Sequence, residues 1–245
     1  NPCCFINLNS LACVLAYFQP ALLKYILVKK GKYEGSIVPI IKKAKDAGII
    51  IQEVERAKLD QIAEGENHQG VIAYVSAYDY VSVKDILDKA REKNEPPFVI
   101  ICDKITDPHN LGAILRTANC VGAHGVIIPK RNSVGLNSVV AKTSAGAVEY
   151  TPVAKVTNIA NTIDSLKDEG LWIAAADMDG QEMYDIDLKG SLGLVIGSEG
   201  EGISRLVREK CDFIASIPMA GEINSLNASV AAGVLMYEAL RQRRK

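Results

Sequence analysis

With 245 residues, 48% of them hydrophobic and 23% charged, the chain can build one large domain or a small and a medium one, and it excludes a disordered polypeptide. The formal net charge of -1 excludes an overall electrostatic pull towards nucleic acid. Three histidines, and cysteines without zinc-ligand spacing, leave no basis for a metal site.

Any RNA contact must therefore come from local basic clusters: Lys29, Lys30 and Lys32, or Lys42, Lys43 and Lys45, or the terminal RQRRK. Each reads equally as solvated surface. Cys102, Cys120 and Cys211 stand in or beside apolar runs and read as buried thiols of a reducing compartment, which places the protein in the cytoplasm. The first 23 residues carry no charge and hold Cys3, Cys4 and Cys13. They are too short and too broken by Asn7, Asn9, Gln19 and Pro20 for a membrane span, and they lack the basic start of a secretory signal.

From Tyr25 the pattern is regular. YILV (25–28), IIIQEV (49–54) and VIAYVS (71–76) read as strands, separated by helices at 37–47, with Ser36 as N-cap, and at 58–63. Residues 77–97 form a linker with one amphipathic helix on Val83, Ile86, Leu87 and Ala90, closed by NEPP. Beyond it, strands are expected at 98–102, 125–129, 148–153, 171–176, 192–196 and 213–218, with helices between them and a last helix from about Ser225 to Arg243. Near-continuous apolar strands alternating with helices indicate a mostly parallel sheet covered on both faces. The expected organisation is a small α/β domain at 1–76, a linker at 77–97 and a larger α/β domain at 98–245.

Three segments of the larger domain carry polar residues where a strand gives way to a helix. In DPHNLGAILRTA (107–118) a helix begins at Leu111, with Leu111, Ile114, Leu115 and Ala118 as its apolar stripe and Arg116 off it. Asn110 is either the helix cap or, with Arg116, a site residue at the carboxyl end of a strand, where open α/β sheets bind ligands. LGLVIGSEGEGI (192–203) breaks into Gly197, Gly200 and Gly202 around Glu199. Its order is not that of the dinucleotide fingerprint, and it sits on a late strand, which disfavours a nicotinamide-dependent oxidoreductase. IPMAGEINSLN (217–227) crowds Asn224, Ser225 and Asn227 at the start of the last helix, more hydrogen-bonding side chains than capping requires.

In this order and spacing, the three segments resemble the three motifs of the SpoU (TrmH) family, which transfers a methyl group from S-adenosylmethionine to a ribose 2′-hydroxyl of RNA. The resemblance covers residues 96–245. The N-terminal unit, with HQGV at 68–71, looks like the ribosomal-protein-type RNA-binding domain of the family's 23S rRNA guanosine-2′-O-methyltransferases, apart from residues 1–24, which depart from the family's usual charged opening. The resemblance implies a six-stranded parallel sheet with the C-terminal segment threaded as a trefoil knot (the SPOUT, or α/β-knot, fold), and a homodimer with its sites at the interface. It implies Arg116 as the base or oxyanion stabiliser, Asn110 holding Arg116 or the ribose, and Glu199 orienting a polar partner, with Ser225 and Asn227 completing the network. It also implies a cofactor site at Gly197, Gly200, Ile217, Met219, Asn224 and Leu226, with Thr143, Ser144 and Gly146 near the methionine part. Asp177, at a strand end, is a further candidate that reads more simply as a surface residue. A tRNA methyltransferase of the same family and a catalytically inactive RNA-binding protein are the alternatives. Neither a metal nor a membrane is implied.

Overall fold

The computed structural model describes residues 4–6, 23–33, 35, 37–63, 65, 67–75 and 78–244. The N-cap reading of Ser36 and the readings of Cys3 and Cys13 lie outside the described residues. The chain divides into two compact units, one mostly within residues 1–78 and one comprising most of 79–245.

The smaller unit holds a four-stranded sheet of β1 (Cys4–Ile6), β2 (Leu23–Lys29), β3 (Ile50–Val54) and β4 (Val71–Val75), in the order β1-β4-β2-β3. β4 runs antiparallel to β1 and β2, while β2 and β3 are parallel. Strand alternation sends Ile26, Val28, Val71 and Ala73 to one face, where Ile40, Ile41 and Ala44 of α1 (Ile37–Asp46) cover them. Leu27 and Ile72 face the other way, under Leu59 and Ala63 of α2 (Arg56–Ala63). His68 fastens the turn before β4. Its Nδ1 accepts the Gly70 N–H at 2.9 Å, so the ring proton sits on Nε2 and is donated to Asp60 at 2.8 Å.

The larger unit has six strands, all parallel: β5 (Phe98–Cys102), β6 (Gly125–Pro129), β7 (Val153–Val156), β8 (Trp172–Glu182), β9 (Leu192–Ile196) and β10 (Phe213–Ser216). Their spatial order is β10-β8-β9-β5-β6-β7. β5, β6 and β9 are buried at every residue, as strands covered on both faces must be. Val99, Ile101, Ile127, Ile173 and Val195 point to one face. They pack there with Ile86 and Leu87 of α3 (Val83–Glu92), Ile159, Ile163 and Leu166 of α6 (Ile159–Asp168), and Val207 of α7 (Arg205–Lys210). The opposite face lies under α4 (Pro108–Cys120) and α8 (Ala228–Arg243), which pack on each other, while the short α5 (Ser138–Thr143) precedes β7.

Several local expectations shift. Residues 148–153 do not form a strand: Ala147–Glu149 is a 3-10 turn, Pro152 follows, and pairing with β6 begins at Val153. α3 starts with a capping box between Ser82 and Asp85 and joins the larger unit's core through Ile86, Leu87 and Ala90. Cys102 is buried and Cys211 half-buried, but Cys120, at the end of α4, is exposed.

Candidate cofactor and catalytic site

The candidate site lies beyond the carboxyl ends of β5, β8, β9 and β10, as expected of a parallel α/β sheet. Asp107 sets the geometry of the first segment. It caps α4 by accepting the His109 N–H at 2.9 Å, with Pro108 at the first helical position. The helix thus begins three residues before Leu111, and Asn110 is not its cap. Asn110 falls in the first turn instead and is buried, at 6% exposure.

The second segment is a tight loop. Ser198 and Gly202 exchange backbone hydrogen bonds at 3.1 and 3.0 Å, and Gly200 (φ +86°) and Gly202 (φ +66°) turn the chain in the left-handed region. At Gly197 the loop folds back so closely that a Cβ would stand 2.3 Å from the Gly202 carbonyl carbon. The loop puts Glu199 at the start of α8, where Asn227 is the N-cap: its Oδ1 accepts the Ser229 N–H at 2.9 Å and the Val230 N–H at 3.3 Å.

Asn110, Glu199 and Asn227 meet there. Asn110 Nδ2 donates to Glu199 Oε1 at 3.0 Å, Asn227 Nδ2 donates to Asn110 Oδ1 at 3.0 Å, and Asn227 Nδ2 also donates to Glu199 Oε1. The Ala228 N–H reaches the same oxygen at 3.4 Å. A carboxylate only accepts, so both amides must turn their NH2 groups to Glu199, which fixes their orientations. Asn227 therefore both caps a helix and ties together three segments far apart in sequence.

A cavity of about 590 Å³ opens beside this cluster. Small side chains at Ala176, Ala215, Ala228 and Ala231 leave flat apolar space, and Ile217 and Leu226 are among the larger residues bordering it. Glu199 and Asp177 bring two carboxylates to its lining. An apolar space with acceptor groups at its rim suits S-adenosylmethionine, which carries a flat purine and a ribose with two hydroxyl donors.

The cavity takes in Gly197, Glu199, Gly200, Ile217, Met219, Ser225, Leu226 and Asn227 from the expected site. Asn224 is not part of its lining, nor are Thr143, Ser144 and Gly146. Thr143 Oγ1 donates to the Val139 carbonyl at 2.8 Å and packs on α4 where a Cβ at Gly112 would stand 1.8 Å from it. Arg116 is exposed and has no hydrogen bond or ion pair among the described residues. Six residues of helix separate it from Asn110, about 9 Å along the axis and about 120° around it, so one chain does not bring the two together. Sequence reasoning reaches Asp177 only as a strand-end candidate that reads more simply as surface, and misses Ala176 and Met178, because β8 reads as ending at Ala176; all three line the cavity. Among the described residues, no group of histidine, cysteine and acidic side chains is arranged to hold a metal ion, and no helix is long and apolar enough to cross a membrane.

Comparison with known proteins gives the family. The profile of the SpoU rRNA methylase family matches residues 97–237, and that of the RNA 2′-O ribose methyltransferase substrate-binding domain matches residues 12–81. A TrmH family tRNA/rRNA methyltransferase of Bacillus subtilis is 54% identical over 211 residues, 86% of this chain and 84% of the relative. Two solved structures share the fold. The SpoU methyltransferase AviRb of Streptomyces viridochromogenes, in complex with AdoMet, gives a TM-score of 0.76 at 24% identity, covering 98% of this chain and 90% of its own. An AdoMet-bound rRNA methyltransferase of Sinorhizobium meliloti gives 0.75 at 23%, covering 97% and 87%. On its two matched profiles and its close relative, the chain belongs to the SpoU (TrmH) family and is an S-adenosylmethionine-dependent RNA 2′-O-methyltransferase.

Proposed function

We propose that the chain methylates the ribose 2′-hydroxyl of a guanosine in 23S ribosomal RNA, as a cytoplasmic homodimer. In this reading residues 1–76 bind the RNA, 77–97 connect, and 98–245 carry the reaction. The observation behind it is the convergence of buried Asn110 with Glu199 and Asn227 at the edge of an apolar cavity. The name of the matched catalytic family supports ribosomal RNA, and the substrate-binding match at residues 12–81 supports an N-terminal RNA-binding role.

When bound, S-adenosylmethionine supplies an electrophilic methyl group. The chain must hold the 2′-oxygen in line with that group and stabilise the oxygen as its proton leaves. Gly197, Ile217 and Leu226 border the space for the adenosine, with Gly200 and Met219 beside them. Glu199 orients Asn110 and Asn227. Asn110, buried behind the lining with its amide bonded to Glu199 and Asn227, holds the ribose or Arg116 in this reading, and Ser225 adds a hydroxyl to the lining. Asn224, Thr143, Ser144 and Gly146 support the surrounding loops. Arg116 supplies positive charge, as base or as stabiliser of the developing alkoxide.

Because Arg116 lies away from the cavity of its own chain, this role requires a second copy to bring its arginine to the site. The exposed stripe of Val230 (50%) and Tyr237 (53%) on α8, which packs on α4, gives the copies an apolar face to share.

The test is methyl transfer from labelled S-adenosylmethionine to 23S rRNA and tRNA transcripts, with the labelled nucleotide mapped. Transfer to a guanosine ribose in 23S rRNA, abolished by Arg116→Ala in a folded dimer, is expected. Transfer to tRNA alone sinks the ribosomal assignment, and turnover of Arg116→Ala within a few-fold of wild type sinks the arginine's role.

A further inference from the structure

β8 leaves its ladder just where it meets the cavity. Ala175 stands opposite Ile214 of β10, yet the next residue of β10, Ala215, stands opposite Gln181. Residues 176–180, sequence ADMDG, therefore bulge out between the two registers. The bulge is built in at its return. A Cβ at Gly180 would stand 2.3 Å from the Ile214 carbonyl oxygen, and the Ser216 hydroxyl donates to the Gly180 carbonyl at 3.1 Å. Bulges beside sites re-aim side chains, and this one adds Ala176, Asp177 and Met178 to the cavity lining.

Asp177 is also oriented. Its Oδ1 accepts the Met178 N–H at 2.7 Å, and its Oδ2 lies 3.1 Å from Arg208 Nε of α7. That Nε is buried and its contact is not a hydrogen bond, so charge rather than an aligned bond holds the pair. Oδ2 keeps its capacity to accept from a ligand. The carboxylate's charge is already met by Arg208, which leaves it poorly suited to a cationic group and well suited to neutral hydroxyl donors. Carboxylates also accept from ribose hydroxyls in dinucleotide-binding open α/β sheets.

We propose that Asp177, aimed by the β8 bulge and steadied by Arg208, accepts hydrogen bonds from the vicinal ribose hydroxyls of the adenosine part of the cofactor. The inference rests on the cavity being the S-adenosylmethionine site.

Calorimetry with two probes, S-adenosylhomocysteine and its 2′,3′-dideoxy analogue, on wild type, Asp177→Asn and Asp177→Ala tests it. Asp177→Ala should weaken S-adenosylhomocysteine on the order of ten- to a hundred-fold. Asp177→Asn, which keeps the shape and one acceptor oxygen, should weaken it less and guards against misfolding of the alanine variant. All three proteins should bind the analogue equally. Unchanged affinity of Asp177→Ala for S-adenosylhomocysteine, or an equal loss with the analogue, overturns the proposal. Wild type that binds neither probe overturns the cavity assignment as well, which the other outcomes leave standing.

Discussion

Asn227 has two functions that substitution can separate. As N-cap of α8, its Oδ1 accepts two backbone N–H groups. As bridge, its Nδ2 donates to Asn110 and Glu199. Asn227→Ala removes both. Loss of the cap costs about 1 kcal/mol. The buried Asn110 carbonyl loses its donor, which adds about 1 kcal/mol, the low end of the range because water reaches the exposed Asn227 side. A destabilisation of about 2 kcal/mol follows. Asn227→Ser restores a capping oxygen and should recover about half of it, but a serine has no amide to bridge Asn110 and Glu199. Asn227→Asp keeps the cap and places a second carboxylate roughly 3 Å from Glu199, a repulsion of about 1–2 kcal/mol in a water-like dielectric. Urea unfolding gives the stabilities, and methyl transfer at saturating S-adenosylmethionine gives the turnover. The serine variant should lie about midway in stability between alanine and wild type yet turn over more slowly than wild type by on the order of a hundred-fold, a loss like that of one oriented donor. A serine variant no more stable than alanine refutes the capping role. One that turns over within three-fold of wild type refutes the bridge.

Gly197→Ala would drive a Cβ against the Gly202 backbone, which cannot give way as a side chain could; S-adenosylhomocysteine affinity measured by calorimetry should fall at least about ten-fold and the melting temperature should drop. His124 is 1% exposed and accepts the Phe98 N–H on Nδ1 at 3.0 Å. Burial holds its pKa below 6.5, against the opposing pull of Glu95. The unfolded chain therefore takes up this proton first as pH falls, so the His124 contribution is fully present above about pH 6.5 and is lost below it; His124→Asn should flatten the urea-measured stability profile from pH 6.5 downwards. Burial pushes the Cys102 and Cys211 thiols up to about 12, while Cys120 is exposed. Peptide mapping after brief iodoacetamide treatment of the native protein should find Cys120 alkylated and the other two protected, and equal labelling of all three would contradict the burial.

The elements that read most clearly in the sequence are those whose burial is uniform. FVIIC, GVIIP and LGLVI are apolar throughout, and β5, β6 and β9 coincide with them because a strand covered on both faces leaves no other pattern. Errors occur where one residue answers to two demands. Asn110 reads as a cap or a site residue because it precedes an apolar stripe; Asp107-Pro108 starts the helix three residues earlier, which removes the cap reading and carries Asn110 into the interior. VEYTPV has the composition of a strand, yet its proline came where the chain was still turning, and the pairing began after it. β8 reads as stopping at Ala176 because Asp and Gly weaken a strand; in the structure those residues form a bulge inside a longer strand and bring Asp177 to the cavity. The members of the polar cluster are legible singly, Asn110 and Asn227 at helix starts and Glu199 between glycines, but not as a connected network. Asn110 and Glu199 are 89 positions apart, and Asn110 and Asn227 are 117 apart. Local pattern says nothing about partners at such distances, which depend on β5 and β9 being neighbours in a sheet where they are far apart in sequence. Arg116 shows the same limit one level up. Its place on a helix follows from the sequence, but one chain puts it on a different side of α4 from Asn110, so an arginine essential to turnover would have to act in an assembly of chains. A dimer-disrupting Tyr237→Asp should then abolish methyl transfer while leaving S-adenosylhomocysteine affinity within a few-fold of wild type. A fully active monomer would remove both the shared site and the reason for placing Arg116 in it.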